Sequence, residues 1–210
     1  MNPTGLTDYE IWSLFKKGDN QAFSQIYNDH SVRLFQYGLK FTSDYTLVED
    51  VIHDLFSSLC RNRKSLGDTD NIYFYLLKSM KRELIRKIQK AGRMDHVENP
   101  EGLDFNISWS VEQQIIQDET ASQKAVLLSR ALERLTPRQK EALYMRFSME
   151  LGYNQISEMM EISVEACRNL IHGALKSLKE LVKSNGRMLL FFLILPQRFK
   201  RPSRDEHTQL

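Results

Sequence analysis

The sequence predicts an all-α fold: two small helical domains joined by a flexible linker, the second containing a helix-turn-helix. Three observations carry this. Apolar residues recur at helical spacing in both halves of the chain, and no run of period-two alternation is long enough for a strand. Only 9 Gly and 5 Pro are spread over 210 residues, too few for a loop-rich β fold or wholesale disorder. Between Ala91 and Ser122 the periodicity fails, and Pro100 and Gly102 punctuate the stretch. The expected division is a first domain over 1–94, a linker over 95–122, a second domain over 123–184 and a tail over 185–210.

In the first block, Ala22, Phe23, Ile26 and Tyr27, then Leu34, Phe35 and Leu39, predict two short helices or one interrupted near Asn28–Ser31, with Asn20 as N-cap. Val48, Val51, Ile52, Leu55, Phe56 and Leu59 fall on one stripe of a helix over Val48–Cys60. After a turn at Ser65–Asp68, helical spacing returns over Asn71–Gln89 through Ile72, Tyr75, Leu76, Met80, Leu84, Ile85 and Ile88. Within the linker, Trp109, Val111, Ile115 and Ile116 suggest that part of it docks.

The second block opens with a helix over about Ala125–Arg134, carrying Leu128, Ala131, Leu132 and Leu135 on one face. Thr136-Pro137 then starts another, with an N-cap hydroxyl and proline at the favoured first helical position, running to about Phe147. Helices at Asn154–Met160 and Val164–Lys183 are separated by Glu161-Ile162-Ser163, with Ser163 as N-cap, which is a helix-turn-helix pattern.

Net charge is only +2, too little to coat nucleic acid by electrostatics alone. Its distribution is uneven, since residues 97–125 carry six carboxylates against one lysine. The opening MNPTGLTDYEIWSLF has no secretory pattern, and Cys60 and Cys167 have no metal or redox spacing, so reduced, buried thiols and a cytoplasmic location are expected. The apolar run Met188–Leu195, eight residues long, is too short for a hydrocarbon core that needs about 20. No stable membrane insertion is expected; the run is expected to fold back onto the second domain's helices, the alternative being that it docks a regulatory protein partner or holds the two domains together.

Enzymatic signatures are absent: no Gly-rich phosphate loop, no Gly-x-Ser-x-Gly elbow, no His-Glu-x-x-His. No catalytic residue, cofactor or metal site is therefore expected. Asp68-Thr69-Asp70-Asn71 opens like a calcium loop, but Tyr73 stands where the glycine must be and Ser79 where the bidentate Glu belongs. Glu49 and His53, one helical turn apart, have no third ligand in view and read as a solvated or partner-facing pair.

Three polar faces remain. Glu165, Arg168, Asn169, His172 and Lys176 lie opposite the apolar stripe of the last helix. Arg matches guanine edges, Asn adenine, and Lys phosphate, so this face suits a major groove, though it would serve equally as a solvated face. Lys78, Lys81, Arg82, Arg86, Lys87, Lys90 and Arg93 form a basic run opposed by Glu83 and preceded by Tyr73, Phe74 and Tyr75. That combination fits single-stranded or melting DNA, with Tyr75 more simply a core residue. Glu49, Asp50, His53, Asp54, Ser57 and Ser58 form an acidic face, which is solvated or meets a basic protein partner.

In this order the features resemble the bacterial extracytoplasmic-function sigma factors. Asp19–Cys60 is similar to their region two through Ala22-Phe23, Leu34, Glu49-Asp50 and Asp54-Leu55-Phe56. Leu132–Leu181 is similar to region four through Leu135-Thr136-Pro137-Arg138-Gln139, Tyr153-Asn154-Gln155-Ile156-Ser157, Ile162-Ser163-Val164 and Ala174-Leu175-Lys176-Ser177-Leu178. The two stretches cover about half the chain. The chain departs from the pattern at Arg82 and Arg86, where Asn and Asp are usual. It departs again at Gln155 (an acidic residue), Glu161 (Gly) and Ala166-Cys167 (Thr-Val), which leaves the promoter sequence open.

The resemblance implies an initiation specificity subunit of RNA polymerase. Glu49, Asp50, His53 and Asp54 would dock on core polymerase. Lys78, Lys81, Arg82, Arg86, Lys87 and Lys90 would hold the opened minus-ten region. Glu165, Arg168, Asn169, His172 and Lys176 would read the minus-thirty-five element. Implied partners are core polymerase, promoter DNA and an anti-sigma factor, with the free chain a monomer. The alternative is a stand-alone dimeric helix-turn-helix regulator; a third class is a sigma-like protein acting through protein contacts only.

Overall fold

The computed structural model describes residues 5–91, 105–106 and 131–183, with side chains through Lys179. Every regular element among them is helical. The chain divides into two compact units, Met1–Asn106 and Ile107–Leu210.

The first unit begins with a helix that the periodicity reading did not assign, α1 (Asp8–Lys17). Its start is a capping box. The Thr7 hydroxyl accepts from the Glu10 N–H, and the Glu10 carboxylate accepts the Thr7 N–H at 2.7 Å, which holds the Glu10 carboxyl below its usual range. It ends at Gly18, whose φ of 97° is the left-handed conformation that favours glycine. Ile11, Trp12 and Phe15 are buried, and the Trp12 indole donates to the Gly67 carbonyl at 2.8 Å.

Helix α2 (Asn20–Gly38) is capped by Asp19, one residue before the expected Asn20. The Asp19 carboxylate accepts from the N–H groups of Gln21 and Ala22. It runs unbroken through Asn28–Ser31, where an interruption was expected. Side-chain contacts to other helices are made just before and within that polar stretch: Tyr27 packs edge-on to Phe56, and His30 stacks on Tyr73. Helices α3 (Tyr45–Asn62) and α4 (Ile72–Lys90) are capped by Asp44 and Asn71. The first N–H of α4 also donates to the Asp8 carboxylate at 2.9 Å, tying it to the start of α1.

The core of the unit is the meeting of α2, α3 and α4, where Leu34, Val48, Val51, Leu76, Leu77, Met80 and Leu84 are fully buried. Gly38 lets α2 approach closely, since a Cβ there would lie 2.5 Å from the Met80 methyl and 2.7 Å from Val48. Phe105 returns to this unit from within the segment expected to be a flexible linker. It is 2% exposed, packs against Tyr37 and Phe41, and is followed by an Asn106 N–H that donates to the Lys40 carbonyl at 2.7 Å. That part of the acidic segment is packed, because a large ring there completes an aromatic cluster. Trp109, Val111, Ile115 and Ile116 lie outside the described residues.

In the second unit, Thr136 caps α5 (Pro137–Leu143) in a capping box with Gln139, with Pro137 at the first position. The helix expected to reach Phe147 passes instead into a π turn over Tyr144–Ser148. Helix α6 (Tyr153–Met160) and helix α7 (Val164–Lys183) follow, and the Ser163 hydroxyl accepts from the Ala166 N–H at 3.0 Å as N-cap. Between them, Glu161 adopts φ 55°, a left-handed position at which glycine would be unstrained. Leu135, Met145, Ile156, Cys167, Ile171, Ala174 and Leu178 build the core of this unit. Residues 123–130 and the tail with Met188–Leu195 lie outside the described residues.

Candidate nucleic-acid interface

Helix α7 has two sharply different sides. Cys167, Ile171, Ala174 and Leu178 are buried, while Glu165, Arg168, Asn169, His172 and Lys176 are all exposed along the opposite face. Burial pushes the Cys167 thiol up, against the weaker pull of Arg146 and Arg168, so it stays a protonated packing residue. Cys60 is half-buried, where burial had been expected.

Two further arginines of this unit, neither of them a site candidate from the sequence, bond to backbone carbonyls at the ends of its elements. Arg138 donates to the Met160 carbonyl at 3.1 Å, at the end of α6. Arg146 donates to the Leu151 carbonyl at 3.0 Å, and its guanidinium carbon lies 4.9 Å from the centre of the Tyr153 ring. The Arg168 guanidinium carbon lies 5.6 Å from the same ring, within cation–π range. The face therefore presents one Arg, one Asn, one His and one Lys from a single rigid helix, a donor set suited to base edges and phosphates.

On α4, Arg82, Arg86 and Lys90 are exposed, while Lys78, Lys81 and Lys87 are half-buried. Arg86 is paired with Glu83 through both guanidinium and Nε contacts. Lys87 bridges to Asp54 on α3, Nζ to Oδ2 at 2.6 Å, and this hydrogen bond holds the Asp54 carboxyl below its usual range. The acidic face and the basic run, read separately in the sequence, thus meet at this pair. Arg93 lies outside the described residues.

Glu49, Asp50, His53 and Asp54 are exposed on one side of α3, with His53 Nδ1 4.0 Å from Asp54 Oδ1. Asp68, at the turn that resembled a calcium loop, pairs with Lys16 at 2.6 Å. Of the aromatics before the basic run, Tyr73 is buried and Phe74 and Tyr75 are half-buried. Tyr73 is buried beside His30 with the Arg33 guanidinium 3.8 Å over its ring, and Tyr75 packs on Trp12 with centroids 5.0 Å apart. Tyr73 and Tyr75 stack on side chains of this unit, as expected for Tyr75.

Comparison with known proteins agrees with this geometry. Residues 131–180 match the family described as Sigma-70, region 4, a span that holds α5, α6 and most of α7. The structure of CnrH in complex with the cytosolic domain of CnrY superposes with TM-score 0.55 at 16% identity, covering 85% of this chain and 99% of that one. The sigma factor RpoE in complex with the anti-sigma factor NepR, from Bartonella quintana, gives TM-score 0.52 at 17% identity, covering 78% and 98%. No curated protein matches the chain by sequence. Residues 131–180 are thus similar to sigma-70 region 4, and the chain shares its fold with CnrH and RpoE.

Proposed function

We propose that the chain is a sigma factor of the extracytoplasmic-function type, directing promoter-specific initiation by bacterial RNA polymerase. The observation that carries this is the coincidence of the region 4 match, 131–180, with a helix-turn-helix whose second helix exposes Arg168, Asn169, His172 and Lys176. In this reading α7 reads the minus-thirty-five element. The α4 face with Lys78, Lys81, Arg82, Arg86, Lys87 and Lys90 holds the opened minus-ten region. Glu49, Asp50, His53 and Asp54 dock on core polymerase.

The chain supplies recognition, and the polymerase supplies the chemistry. A net charge of +2 suits two weak DNA contacts that become effective once core fixes their spacing. An anti-sigma factor is a further partner in this reading, by analogy with RpoE, solved with NepR. Among the described residues no helix is long and apolar enough to cross a membrane, in keeping with a cytoplasmic place of action.

Run-off transcription with purified core polymerase and the full chain, over a library of promoter fragments, tests the proposal. Transcription from a sequence-defined subset is expected. A folded chain that fails to bind core at micromolar concentration, or that dimerises on DNA without core, would overturn it in favour of a stand-alone regulator.

A further inference from the structure

Tyr153, the first residue of α6, is half-buried and projects its ring toward two guanidinium groups. These are not equivalent. Arg146 is half-buried and tied back to the Leu151 carbonyl, so its hydrogen-bonding capacity is directed into the unit. Arg168 is exposed on the face of α7 that carries Asn169 and His172. The ring thus has one guanidinium carbon, of the tied-back Arg146, at 4.9 Å from its centre and a second, of the exposed Arg168, at 5.6 Å.

From this geometry we infer that Tyr153 is a positioning residue for base readout: its ring holds the Arg168 guanidinium in the orientation in which that residue contacts a base edge. The inference rests on the proposed role of α7 in reading promoter DNA.

The physical argument is one of pre-organisation. An exposed arginine samples many rotamers and loses most of that freedom when it forms a bidentate contact. A guanidinium resting against an aromatic ring has already given up part of it, and the ring's π face favours the cation without consuming its N–H donors. Arg168 therefore keeps its donor fork available while its stem is guided. Cys167, fully buried next to it in sequence, anchors the helix backbone at that point. Arg168 is thus an exposed member of the face whose side chain meets a ring from outside its own helix.

Two measurements on the full chain test this. In the free protein, the Arg168 side-chain protons should show an upfield ring-current shift by NMR, kept in Tyr153→Phe and lost in Tyr153→Leu. With the chain assembled on core polymerase, duplex DNA randomised over the upstream element is selected for binding and sequenced. Wild type and Tyr153→Phe should enrich the same sequence. Tyr153→Leu should lose about two- to fivefold discrimination, the range of an exposed cation–π contact. The loss should fall at the base position that Arg168→Ala affects, and the double variant should be no worse than Arg168→Ala alone.

Absence of the ring-current shift would overturn the inference, as would unchanged preference in Tyr153→Leu or a loss spread evenly over all positions. If the wild-type chain on core enriches no sequence although the shift is present, DNA reading by α7 is itself wrong, and the positioning role falls with it.

Discussion

Lys87 Nζ lies 2.6 Å from Asp54 Oδ2, joining α4 to α3 across 33 residues of sequence. The two side chains belong to surfaces with different proposed partners, Asp54 to core polymerase and Lys87 to promoter DNA. In the free chain each partly neutralises the other, and the Lys87 hydrogen bond holds the Asp54 carboxyl below its usual range. Binding of either partner then competes with this internal bond.

That competition predicts opposite effects of the two halves of the pair. Lys87→Ala should strengthen core binding by no more than about fivefold, the ceiling for a solvent-screened pair, while weakening promoter opening on every sequence. Asp54→Ala should weaken core binding. Affinity for core measured by fluorescence anisotropy, alongside permanganate footprinting of open complexes, checks both; tighter core binding by Asp54→Ala would refute the assignment.

Phe105 should behave as a core residue although it lies in a segment poor in helical pattern. Phe105→Ala removes a buried ring that packs on Tyr37 and Phe41, a change that typically costs about 3 kcal/mol. The expected result is loss of hydrogen-exchange protection at the Asn106 amide, which donates to the Lys40 carbonyl. Helices α3 and α4 should keep their protection. Unchanged exchange at Asn106 would show that the ring does not hold the Asn106–Lys40 hydrogen bond in place.

Glu161→Gly should stabilise the second unit. A left-handed φ of 55° disfavours any residue with a Cβ by about 1–2 kcal/mol, and glycine's greater unfolded-state freedom returns part of that. A net gain of about 0.5–1 kcal/mol is expected. Hydrogen exchange of the α6 and α7 amides reads it directly, and slower exchange is the predicted sign.

The first unit should lose stability in mild acid through His30. Burial lowers its pKa; Arg33 acts in the same direction, while Asp8 and Asp29 oppose it. Its Nδ1 is buried without a hydrogen-bond partner. The unfolded chain therefore binds a proton at a higher pH than the folded unit does. The stabilisation is complete above about pH 6.5 and declines as pH falls from there toward the folded pKa, by at most about 1.4 kcal/mol per pH unit. Urea denaturation followed through Trp12 should show this slope in wild type and not in His30→Phe. The acid loss from Glu10 and Asp54, whose pKa values are lowered by their partners, falls in the lower, carboxylate range.

What the sequence determined by itself is what rests on residues a few positions apart. Caps at Thr136 and Ser163, the stripe through Val48–Leu59 and the two-sided character of α7 all follow from hydrogen bonds and side-chain spacing within one or two turns. The same local chemistry was available for α1, where Thr7 and Glu10 spell a capping box ahead of Ile11, Trp12 and Phe15, and the periodicity reading did not draw on it.

Tertiary structure decided the rest. An interruption of α2 at Asn28–Ser31 is reasonable for an isolated polar stretch, yet the turn is unbroken, with Tyr27 just before it against Phe56 and His30 within it against Tyr73. The meeting of Asp54 with Lys87, the return of Phe105 to Phe41 and the placing of Tyr153 beside Arg168 depend on how helices cross and where loops lead. Such angles arise from the packing of whole faces, so no short window of residues encodes them.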